Sequence, residues 1–77
     1  MVNPTTLQAQ FAVSNAYAML YHARIVSGAY KFDQKFYLTK EGEVPLTEEE
    51  LLKSDLATMG RHIKRMSDIT DALASLS

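Results

Sequence analysis

The sequence predicts an all-α chain in which two long helices fold into an antiparallel hairpin through an aromatic connection and assemble with further copies into a helix bundle. Three observations predict it. The stretch from Leu46 to Leu76 repeats apolar residues at helical spacing behind a well-marked start. The stretch from Leu7 to Val26 contains no glycine or proline. Between them, the 18 residues from Ala29 to Leu46 are too many for a simple turn.

The first helix is expected over about residues 5–27, since boundaries read this way move by ~2–4 residues. Pro4, Thr5 and Thr6 all suit a first turn, and the alanines, leucines and methionine that follow favour helix. Gly28 is the expected C-terminal cap, with Arg24 set in the last turn against the negative end of the helix dipole.

This helix is apolar on two sides. Leu7, Phe11, Ala18, Tyr21, Ile25 and Ala29 make one line, interrupted by Ser14. Ala9, Ala12, Ala16 and Ala23, flanked by Met19 and Leu20, make a second line on roughly the opposite side at about 100° per residue. A helix apolar on two sides is normally covered on two sides. One line can pack on the second helix, so Ala9, Ala12, Ala16, Met19, Leu20 and Ala23 are the candidate oligomer interface. Insertion in a membrane is disfavoured, because Gln8, Gln10, Ser14, Asn15, His22 and Arg24 interrupt the span and no basic flank orients it.

The connection, about residues 28–46, holds Tyr30, Phe32, Phe36 and Tyr37, four of the seven aromatic residues. Lys35 to Thr39 has strand-like composition and Lys40 to Glu43 can turn, which leaves room for a small β-hairpin. The four aromatic rings either cap the open end of the bundle or stay exposed and anchor a protein partner.

The second helix is expected over about residues 48–75. Thr47 and Glu50 have the spacing of a capping box, Leu46 and Leu51 that of a hydrophobic staple, and Glu48, Glu49 and Glu50 place negative charge at the positive end of the dipole. Leu52, Met59, Met66 and Leu73 recur every seven residues beside a row of Leu56, Ile63, Ile69 and Leu76, with Asp55 and His62 on the flank. Gly60, inside this helix, implies either a bend or the close approach of another backbone.

Seventy-seven residues in one domain make a small core, and without cysteine there is neither a disulfide nor a thiolate site. The net charge of −1 offers no strong footprint for nucleic acid or an acidic membrane. Arg61, Lys64 and Arg65 nevertheless form a short basic cluster and are the candidate contacts of an alternative, a small nucleic-acid-binding regulator. His22 and His62 fall at different heights in an antiparallel hairpin, so no shared metal site is expected. No nucleophile–base pair or cofactor motif stands at a recognisable spacing, so the chain is read as no enzyme, without a cofactor. The absence of a basic leader points to an intracellular setting. The functional expectation is a protein-interaction or assembly protein, such as a small adaptor, inhibitor or accessory subunit, binding itself and another protein.

Overall fold

The structure, a computed structural model, describes residues 3–76. Helix α1 spans Pro4–Ser27, a 3₁₀ turn covers Ala29–Phe32, strands β1 (Phe36–Thr39) and β2 (Gly42–Pro45) form a hairpin, and helix α2 spans Glu48–Ser75. The antiparallel helical hairpin is therefore present, and the aromatic connection contains an ordered two-stranded sheet.

Local chemistry sets each boundary. Asn3 caps α1 by accepting the Thr5 amide on its side-chain oxygen at 2.8 Å, and Pro4 occupies the first turn, where a missing N–H costs nothing. At the other end Gly28 takes φ 79°, a left-handed conformation suited to glycine, and its N–H returns to the carbonyls of Arg24 and Ile25. The capping box of α2 is formed in both directions. The Thr47 hydroxyl accepts the Glu50 amide at 3.2 Å, and the Thr47 amide donates to the Glu50 carboxylate at 2.9 Å.

In the β-hairpin Phe36 pairs with Pro45, Tyr37 with Val44, Leu38 with Glu43 and Thr39 with Gly42. The turn itself is Lys40–Glu41, with Gly42 at φ 123° entering the return strand. The Thr39 hydroxyl donates to the Gly42 carbonyl and accepts the Glu41 amide, which closes the turn.

The helices pack side by side, and the backbone extends over 54 × 30 × 14 Å. The molecule is a plate one helix thick. Its radius of gyration is 16.5 Å, whereas a compact chain of this length would have about 11–12 Å. A single layer can bury only the seam between its two helices. Among the described residues that seam contains Leu7, Ser14 and Ala18 from α1 with Leu51, Asp55 and Ile69 from α2.

The face that α2 turns to this seam corrects the stripe expected from its sequence. Asp55 is fully buried and His62 half-buried, whereas Leu56 and Ile63 stand exposed at 44% and 48%. The inward face is thus turned by about one row of side chains. The reason is a polar pair across the seam, which holds Asp55 inward and takes the rest of the helix with it. Gly60 lies within the uninterrupted α2, and a Cβ built there would meet nothing within 4 Å, so no backbone of this chain approaches it closely.

Candidate functional site

Two features of the seam are polar or aromatic, and they fix the register of the helices. Near the connection, Arg24 of α1 donates from Nε to the Asp55 carboxylate at 3.0 Å and from a terminal nitrogen to Asp33, just past the 3₁₀ turn. Lys35 extends the group, with its amine 3.7 Å from Asp33 and 3.3 Å from the Ser54 hydroxyl. The Asp55 hydrogen bonds raise the Arg24 pKa above its ordinary value against the opposing effect of burial, and Asp33 adds to the rise. Every fully enclosed side-chain polar atom among the described residues has a hydrogen-bond partner, so the buried carboxylate is not an unpaired charge.

Further from the connection, His62 of α2 stacks on Tyr17 with ring centroids 5.0 Å apart, and Tyr21 follows at 6.5 Å. Arg24 in turn lies over the Tyr21 ring, 5.5 Å from its centroid. Asp55, Arg24, Tyr21, His62 and Tyr17 form a continuous ladder along one side of the seam. The sequence did carry a signal for its first rung. Arg24 is the one charge in the first thirty residues, and Asp55 lies along the flank of the apolar stripe of α2.

A groove follows the seam on each broad side of the plate. One, of about 360 Å³, has Val13, Ser14 and Tyr17 on α1 facing His62 and Arg65 on α2. The other, of about 270 Å³, lies between Gln8 and Phe11 on α1 and Thr70 and Leu73 on α2. Among the described residues no group of three or more His, Asp or Glu side chains could hold a metal ion, and His22 is exposed.

The residues singled out from the sequence fall in three places. Ala9, Ala12, Ala16, Met19, Leu20 and Ala23 are all exposed; Ala12, Ala16 and Ala23 lie on the side of α1 away from α2, Met19 and Leu20 on its two flanks, and Ala9 with Val13 at the border of the larger groove. Tyr30 is half-buried against the helices, but Phe32 is 87% exposed, and Phe36 and Tyr37 are also exposed on the hairpin. Leu38, which the sequence reading passed over, is 81% exposed and lies on the same face of the hairpin as Phe36. Of the basic cluster, Lys64 pairs with Asp68 at 3.3 Å, Arg61 donates to the Thr58 hydroxyl at 3.0 Å, and Arg65 borders the larger groove.

Large apolar side chains, among them Phe32, Leu38, Val26 and Met19, stand exposed among the described residues. No helix among the described residues is long and apolar enough to cross a membrane. Set beside known protein families, curated proteins and solved structures, the chain matches none of them.

Proposed function

We propose that the chain is a non-enzymatic protein-interaction or assembly module that works as a helical homo-oligomer and presents its β-hairpin to another protein. The observation that carries the reading is surface area. The chain exposes 5805 Å² at a mass of 8.6 kDa, against about 4,700 Å² for a compact monomer of that mass. The excess, about 1,100 Å², is comparable to one side of a stable protein interface. Much of it is apolar, contributed by Val13, Met19, Leu20, Leu56 and Ile63 on the helices and by Phe32, Phe36 and Leu38 on the connection.

Light scattering or sedimentation of the purified chain at micromolar concentration tests the first half. A dimer or larger species is expected. A monomer with full helical signal would remove the proposal. The second half is read with Phe36→Ala and Leu38→Ala. Both side chains are exposed, so these changes should weaken capture of a partner while the mass and helical signal stay as they were. Loss of folding instead would return the rings to a structural role.

A further inference from the structure

We infer that two copies of this chain pack through one particular broad side of the plate, the side bearing Leu52, Leu56, Met59 and Ile63 of α2 with Phe11 and Met19 of α1, and so close a four-helix bundle. The inference rests on the self-association proposed above and says where it occurs.

Helix geometry identifies the side. At about 100° per residue, Leu52, Leu56, Met59 and Ile63 lie on the flank of α2 that carries Thr70. Phe11 and Met19 lie on the flank of α1 that carries Gln8. Gln8, Phe11, Thr70 and Leu73 line the smaller groove, so both flanks look out from the same broad side. The polar residues that share the two flanks beyond the first turn of α2 include Gln8, Asn15, His22 and Thr70, with no lysine, arginine or carboxylate among them, and Asn15 already donates to the Met19 sulfur at 3.7 Å. Lys53, Arg61, Lys64, Arg65, Asp68 and Asp71 project elsewhere on α2, toward the other broad side or the outer edge, and the charges that share this flank, Glu48 and Glu49, are confined to the first turn of α2. Beyond the first turn of α2, charge therefore separates the two sides, and there only this one can be dried without burying a lysine, arginine or carboxylate.

Area then selects a second copy as the occupant. The overlap of the two helices is set by the 24 residues of α1, roughly 36 Å of helix, and two helix widths add roughly 20 Å. One broad side is thus about 700 Å², and a face-to-face pair covers about 1,400 Å² in total, within the range of stable interfaces. The outer edge of α1, with Ala9, Ala16 and Leu20, is one helix wide and would cover only about half as much. A flat face of this size whose charges sit only at one end pairs with itself across a twofold axis without opposing charge to its like over its centre. Each helix then gains a neighbour at about a right angle to its first, the arrangement of a four-helix bundle.

The test compares sedimentation of the full chain with two double variants, Leu56→Glu/Ile63→Glu and Ala16→Glu/Leu20→Glu. All four positions are exposed in the single chain, so none of the changes enters the α1–α2 seam. The unaltered chain should sediment as a dimer, the first variant at half that mass with its helical signal retained, and the second as a dimer. A dimer that persists in the first variant and dissociates in the second overturns this inference and leaves self-association standing. An unaltered chain that is monomeric, whether or not it binds lipid vesicles or another protein, overturns both.

Because the chain has no cysteine, Ile63→Cys and Ala57→Cys give a second reading that does not depend on how a glutamate is tolerated. A short bismaleimide should link Ile63→Cys into dimers and leave Ala57→Cys, which faces away from the proposed interface, unlinked. The reverse pattern overturns the inference.

Discussion

Arg24 ends on a carboxylate that solvent cannot reach, and the consequence for stability follows from asymmetry. Removing one member of a buried ion pair strands the other in a poorly hydrated site and typically costs about 3–5 kcal/mol. Arg24→Met, which leaves the fully buried Asp55 carboxylate without its partner, should therefore lose about 3 kcal/mol in urea unfolding, a large part of what a chain of this size commands, whereas Asp55→Ala should lose less because Arg24 keeps Asp33 and stays partly exposed. Replacing both members by apolar residues, Arg24→Met with Asp55→Leu, should recover most of that loss, because no orphaned charge remains. If Arg24→Met unfolds within about 0.5 kcal/mol of the parent chain, a change typical of ordinary surface positions, the pair does not hold the hairpin together. The sequence alone gave Arg24 a different partner, the helix dipole, because that interaction is local. Its actual partner is 31 residues away, and only the register of the hairpin brings the two together.

At the level of the element, the features written in a few adjacent residues were legible. The Gly28 cap and the Thr47–Glu50 box each depend on chain neighbours, and both are formed. The rotation of α2 was not legible, because two apolar rows differing by one step have nearly equal hydropathy and a buried aspartate decides between them. The exposure of Ala9, Ala16 and Leu20 was only half legible. Periodicity shows that a second apolar side exists but not whether this chain covers it.

The box also carries a pH signature. Glu50 is held below its ordinary pKa by the Thr47 amide and then the Thr47 hydroxyl. A lowered carboxyl stabilises the fold above the ordinary carboxylate range and loses that contribution as pH falls through its lowered value. Thermal melting of the parent chain and of Glu50→Gln should thus differ most near neutrality and converge on acidification. The glutamine keeps an acceptor for the Thr47 amide but cannot titrate. Further along α2, Gly60→Ala should raise stability by about 0.5–1 kcal/mol, since helical alanine is favoured and the added methyl meets nothing. A fall in stability or in oligomeric mass would instead reveal a second copy pressed against that point.

For the molecule as a whole, the proposed pairing of plates would tie folding to abundance. A chain that completes its second layer only by finding its twin has a folded population governed by mass action. Its melting temperature should climb with protein concentration, and the slope should vanish in Leu56→Glu/Ile63→Glu, whose folded form stands alone. Amide hydrogen exchange should report the same linkage, with the outward flank of α2 around Leu56 and Ile63 exchanging more slowly as concentration rises and the Arg24–Asp55 end of the seam changing least. Under the proposed pairing, a 14 Å thickness would become a sensor of copy number: scarce chains would be open to proteolysis, and plentiful ones would protect each other.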